Sequence, residues 1–115
     1  MSPVRRERAG RDLRANAPVF AALGDQTRLA LLAQLSRESR CSIARLTEGS
    51  PLTRQAITKH LRVLQSAGLV RGVRRGRENL FELEPEPLDE ARRALEGISR
   101  QWDEALARLK SFVER

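Results

Sequence analysis

The last third of the chain constrains the fold most. Leu88, Ala91, Leu95, Ile98, Trp102, Ala105, Leu109 and Phe112 recur at alternating spacings of three and four residues. A seam of this period, kept up over more than three heptads, belongs to one amphipathic helix that needs a facing surface. Leu106 and Val113 widen the seam. Gly97 lowers helix propensity by about 1 kcal/mol relative to alanine and need not break the helix. A helix of roughly 25 residues is about 40 Å long at a rise of 1.5 Å per residue. A seam that long either packs on its own domain or meets a second chain. One domain of 115 residues is too small to cover it all. Part of it is therefore expected to form a homodimer.

Charge is concentrated elsewhere. The net charge is +7, from 22 Lys and Arg against 15 Asp and Glu. Residues 53–78 hold six Arg, Lys59 and a single acid, whereas residues 79–115 hold six bases and nine acids. Residues 1–14 add five Arg and two acids. A basic stripe of 26 residues is the electrostatic footprint of a phosphate-backbone binder. A solvated face kept positive for solubility accounts for charge alone almost as well.

Several function classes fall away. Aromatic residues are 3% of the chain, too few for the base-stacking sheets and grooves that hold single strands. One Cys and one His preclude a disulfide framework and leave no Cys/His zinc set within the chain. No apolar run approaches the roughly 20 residues of a membrane span. The basic start lacks an apolar h-region, so a signal peptide is not expected. No Gly-rich phosphate loop and no Ser/His/Asp set is present, so no enzyme is expected. These features predict a soluble cytoplasmic protein with an anionic partner, no membrane contact and no cofactor.

The rest reads as short helices followed by a hairpin. Residues 1–15 show no apolar period and read as a flexible basic arm. Asn16 is placed to cap a first helix with Pro18 in its first turn and Val19, Phe20 and Leu23 inward. Asp25 caps a second, running to about Glu38, with Leu29, Leu32, Ala33 and Leu35 as its apolar face. Ser42 caps a short third helix with Ile43, Ala44 and Leu46, and Gly49 ends it. Thr53 caps a fourth, about 53–67, with Ile57, Leu61 and Leu64 inward. Leu69–Val73 and Leu80–Leu83 then alternate as strands around the arginine-rich tip Arg74, Arg75, Gly76 and Arg77. Pro85 and Pro87 punctuate the exit to the long helix, placed at about 87–114.

A short helix, a Gly/Pro turn and a helix with one polar face make a helix-turn-helix. Its second helix must carry donors and acceptors that reach base edges in the major groove. Arg54, Gln55, Thr58, Lys59 and Arg62 lie mainly on that face. Arg and Lys can read guanine and Gln can read adenine. An ordinary amphipathic helix explains this helix equally well by itself. The basic hairpin directly after it, with Arg74, Arg75 and Arg77 able to reach phosphates or a narrow minor groove, favours binding. The expected fold is thus mainly α with a β-hairpin wing (α+β), spanning 16–115 with the wing at about 69–84. His60 reads either as a packing residue or as a phosphate contact. Cys41 reads first as a small semi-buried residue, with a redox or metal role the lesser alternative.

The stretches Phe20–Leu29, Gln55–Leu64 and Ala67–Val70, with the wing Arg74–Arg77, resemble the ArsR-type winged-helix repressors. The resemblance implies a homodimer with the first and last helices, and hence Phe20, at the interface. It implies double-stranded DNA as partner, readout by the fourth helix and phosphate contacts near Thr27 and Arg28. The metal-sensing members' Cys-x-Cys pattern is absent from Cys41–Leu46, and the last helix has no His. No metal is therefore expected. The tail from Trp102 to Val113 is similar to the metal-independent branch associated with small lipid-cavity (SRPBCC-type) proteins. The expected function is a homodimeric repressor on a pseudo-palindromic operator. The alternatives are a protein-interaction module using the heptad helix and a thiol-redox-responsive repressor acting through Cys41.

Overall fold

A computed structural model describes residues 12–114. The first eleven residues of the expected basic arm lie outside that range. Residues 12–15 form a helical turn, so the helical domain starts before residue 16. Asn16 does not use its side chain as a cap; its amide Nδ2 donates back to the Asp12 carbonyl at 2.7 Å.

Helix α1 covers Ala17–Leu23, with Pro18 in the first turn, where a missing N–H costs no hydrogen bond. Helix α2 covers Gln26–Glu38, capped by Asp25, whose carboxylate accepts from the Arg28 N–H at 3.0 Å. Its inward residues are Leu31, Leu32 and Leu35. Leu29 and Ala33, expected inside, face solvent. The apolar run Leu29-Ala30-Leu31-Leu32 permits two nearby stripes, and periodicity alone does not choose between them.

Strand β1 (Arg40–Ser42) precedes the next helix and is too short for a period to mark it in the sequence. Ser42 ends it and caps helix α3 (Ile43–Thr47), accepting from the Arg45 N–H at 3.1 Å. Helix α4 (Arg54–Ser66) is capped by the Thr53 hydroxyl, which accepts from the Ala56 N–H at 3.1 Å. Such a cap contributes about 1 kcal/mol. Gly68, at φ +77°, turns the chain into strand β2 (Val70–Arg75), which pairs antiparallel with strand β3 (Glu78–Leu83). β3 also pairs with β1, giving a three-stranded sheet of order β1-β3-β2. Helix α5 (Pro85–Val113) starts two residues earlier than expected, because Pro85 occupies its first turn rather than ending the hairpin.

One core holds the domain together. Leu35, Ile57, Leu61, Leu64, Leu69 and Cys41 are fully buried where α2, α4 and the sheet meet. Val19 and Ala22 of α1 and Ala91 of α5 close it from the far side. The core therefore holds α4 by one face and leaves its other face free.

Candidate nucleic-acid interface

Ile57, Leu61 and Leu64 are at most 1% exposed, which fixes the inner face of α4. Arg54, Gln55, Lys59 and Arg62 consequently point outward and are exposed. Thr58 is half-buried and its hydroxyl donates to the Arg54 carbonyl at 2.7 Å, so its methyl and lone pairs are what it offers a partner. Among the described residues, Arg54, Lys59 and Arg62 have no carboxylate within 4.0 Å. Several bases elsewhere are neutralised locally. Arg45 pairs with Glu38 at 2.5 Å and with Glu48 at 2.6 Å, and its bond to Glu38 holds that carboxyl below its ordinary range. Arg92 pairs with Asp89 at 2.8 Å and with Glu96. The outer face of α4 thus keeps its positive field available to an anionic partner.

The wing is a tighter hairpin than expected. The ladder runs out to Arg75 opposite Glu78, so the turn is only Gly76-Arg77. Gly76 takes φ +60°, as a two-residue hairpin requires. Arg74 and Arg75 are therefore strand residues held in register rather than members of a loose tip, and only Arg77 sits in the turn. Arg75 and Arg77 have no acidic partner among the described residues. Arg71 does not join them. It pairs with Glu82 and, at 2.9 Å, with Glu84. Glu82 also accepts from Arg40 at 2.7 Å, and these two arginines hold its carboxyl below the usual value. Arg40, Glu82 and Arg71 form one row across the three strands, which pins the register of the wing. Among the described residues, six of the seven bases of residues 53–78 have no acidic partner.

Thr27 lies in the first turn of α2 and lines, with Ser50, Pro51 and Leu52, a cleft beside the turn that leads into α4. Arg28, at which the resemblance implies a phosphate contact, has its guanidinium engaged within the domain, donating to the carbonyls of Ala22 at 2.6 Å and Ala21 at 3.4 Å. Its Nη1 lies 3.3 Å from His60 Nδ1. His60 is half-buried in this joint.

The seam of α5 divides. Ala91, expected at a dimer interface, is 2% exposed and belongs to the domain's own core, as does Ala94 nearby. Ile98 and Ala105 are half-buried. Leu88, Leu95, Trp102, Leu109 and Phe112 face outward, Trp102 at 65% and Phe112 at 72% exposure. Phe20 is half-buried and lines, with Leu23, Leu83, Leu88 and Leu95, an open apolar groove of about 700 Å³ between α1 and α5. The spacing alone could not tell the side of the helix that meets its own domain from the side that does not. Small Ala91 and Ala94 against large Leu88 and Leu95 was the available signal, since close helix packing favours small residues.

Cys41 is buried in β1, 3.8 Å from a Glu38 carboxylate oxygen. Burial pushes its thiol up, and the Glu38 charge adds to the effect. Both disfavour the reactive thiolate. Among the described residues no group of three His, Cys, Asp or Glu side chains is placed to hold a metal ion. No described helix is long and apolar enough to cross a membrane.

Comparison with known proteins agrees with this geometry. Residues 23–73 match a helix-turn-helix domain family. An uncharacterized HTH-type transcriptional regulator, YuzN of Bacillus subtilis, is 41% identical over 76 residues, covering 61% of this chain and 83% of its own length. The HTH-type transcriptional repressor SmtB of Mycobacterium tuberculosis is 34% identical over 71 residues, 62% of this chain but only 52% of that protein. A solved ArsR-like transcriptional regulator from Rhodococcus sp. RHA1 superposes with a TM-score of 0.75 at 42% identity, over 84% of this chain and 91% of that one. With its buried-faced α4, paired wing and long terminal helix, the chain belongs to the ArsR-type winged helix-turn-helix transcriptional regulators, a family of DNA-binding proteins rather than enzymes.

Proposed function

We propose that the protein is a homodimeric, sequence-specific repressor that binds a pseudo-palindromic operator and needs no metal. The observation that carries this reading is the outer face of α4, Arg54, Gln55, Lys59 and Arg62, without acidic partners among the described residues, beside a wing that holds Arg74 and Arg75 in register. Gln55 and Arg54, near the start of α4, read bases, with Thr58 and Lys59 following along the groove. Arg62, Arg74, Arg75 and Arg77 grip phosphate or a narrow minor groove. Two copies joined along the exposed row of α5 would place two such heads about a two-fold axis, which matches a palindrome. Such a protein works in the cytoplasm, where the DNA is. The sequence supports metal independence, since one Cys and one His cannot rebuild either metal set of the family. The tail from Trp102 to Val113 supports the metal-independent, SRPBCC-associated branch.

The test is selection of bound fragments from a random-sequence DNA pool by the full chain, followed by two substitutions. Gln55→Ala is expected to relax the selected base at one position per half-site, with a discrimination loss of about 1–3 kcal/mol. Arg75→Ala is expected to weaken selected and random duplexes by the same factor. Equal loss of discrimination from both substitutions contradicts these roles.

The buried, upward-shifted Cys41 thiol disfavours the redox alternative. The native chain is expected to bind its selected duplex within about twofold in peroxide and in dithiothreitol, as befits a buried thiol. A larger difference that disappears in Cys41→Ser restores the redox reading.

A further inference from the structure

The residue that joins α4 to the remainder of the domain by direction, rather than by packing, is Arg28. Its Nε and Nη2 donate to the carbonyls of Ala22 and Ala21 at the end of α1, the second of which also accepts from the Gly24 N–H. Its backbone N–H is capped by Asp25, which fixes the start of α2. Its Nη1 reaches across 32 residues of sequence to His60 of α4. Among the described residues this is the single side-chain hydrogen bond between α4 and another element. Apart from the backbone hydrogen bonds at its two ends, α4 is seated by apolar contact through Ile57, Leu61 and Leu64. Such contact sets the depth of a helix but is non-directional, and it tolerates small rotations about the helix axis. Base readout does not tolerate them, because a bidentate contact needs both hydrogen bonds in line.

The chemistry of the contact is specific. A guanidinium has donors only. His60 Nδ1 must therefore accept, which places the proton of the neutral ring on Nε2, on the side away from Arg28. Asp25 Oδ2, 3.7 Å from the same Nδ1, is beyond hydrogen-bond distance and is already held by the Arg28 N–H. We propose that Arg28 is a positioning residue for the recognition helix and not a phosphate contact: it holds the His60 ring with Nδ1 as the accepting nitrogen and so fixes the rotation of α4 about its axis.

The functional half of this assignment rests on the DNA-binding reading; the chemical half does not. His60 is the only histidine of the chain, so its ring gives one set of nitrogen resonances without assignment. In the native free protein at about pH 8, above the ordinary titration range of histidine, long-range ¹H–¹⁵N spectra are expected to show protonated Nε2 and bare Nδ1. Arg28→Lys is expected to move the ring toward protonated Nδ1, because lysine cannot hold both carbonyls and the ring while Asp25 remains beside it. A native ring protonated on Nδ1, or one unmoved in Arg28→Lys, overturns the assignment.

On a duplex selected by the native chain, Arg28→Lys is expected to bind about tenfold more weakly and His60→Ala about fivefold, with the double variant no weaker than Arg28→Lys alone, as coupled residues require. His60→Asn, which keeps an acceptor at the Nδ1 position, is expected to stay within about twofold of native. A phosphate contact would tolerate Lys at position 28, so native affinity in Arg28→Lys, or losses that multiply in the double variant, also overturns the proposal. Circular dichroism shows whether each variant is folded. If the native chain selects no sequence at all, the DNA-binding reading fails while the nitrogen spectra still decide the state of the ring.

Discussion

Raising monovalent salt from about 50 to 200 mM is expected to weaken binding to the selected duplex by about 10⁴–10⁵-fold. Among the described residues, each copy presents six bases free of acidic partners on α4 and the wing: Arg54, Lys59, Arg62, Arg74, Arg75 and Arg77. With one or two of these turned to base edges, the proposed dimer would neutralise about 8–10 phosphates, and log K against log salt is expected to fall with a slope of roughly −7 to −9. Arg71 is left out because Glu82 and Glu84 already hold its charge. Fluorescence anisotropy across a salt series measures the slope directly. A slope shallower than about −3 would mean that the free bases are not a phosphate grip.

Trp102→Glu with Leu109→Glu is expected to convert a dimer into a folded monomer and to weaken operator binding at least about 100-fold, the loss expected when two linked half-site contacts become independent. Both residues lie on the outward row of α5 and are more than half exposed in the isolated chain, so the domain core is untouched. Carboxylates there would be buried without partners at a two-fold interface, which the apolar seam does not tolerate. Sedimentation velocity and anisotropy on the selected duplex read the two effects. A native monomer would instead favour the interaction-module reading. Ala91→Glu provides the contrast: at 2% exposure it puts a charge into the domain's own core, and loss of helical signal rather than clean monomerisation is the expected result.

These two expectations differ in how far the sequence alone reached. The basic stripe is legible in the sequence, because residues 53–78 concentrate the bases whatever the fold. The caps were legible too. Asp25, Ser42 and Thr53 each accept an N–H three residues on, a local event that local sequence specifies. The inward row Ile57, Leu61 and Leu64 was read correctly because α4 has a single apolar stripe. Helix α2 was misread in part because its leucines offer two stripes. Strand β1 was missed because three residues show no period, and its pairing with β3 bridges some forty residues of sequence.

The sequence by itself determined what is set by neighbours along the chain: helix starts, the glycine turn at Gly76, the polar face of the recognition helix and the length of the final seam. Only the tertiary structure decided which groups of that inventory remain available. Arg28 and Arg71 look like free bases in the sequence, yet one is held by two carbonyls and His60 and the other by two carboxylates. Ala91 has the same spacing as the rest of the seam, yet it faces inward while Leu88 and Leu95 border an open groove. The physical reason is the same in each case. Periodicity and composition fix the direction a side chain leaves its own element, whereas burial and pairing depend on what a distant element brings to meet it.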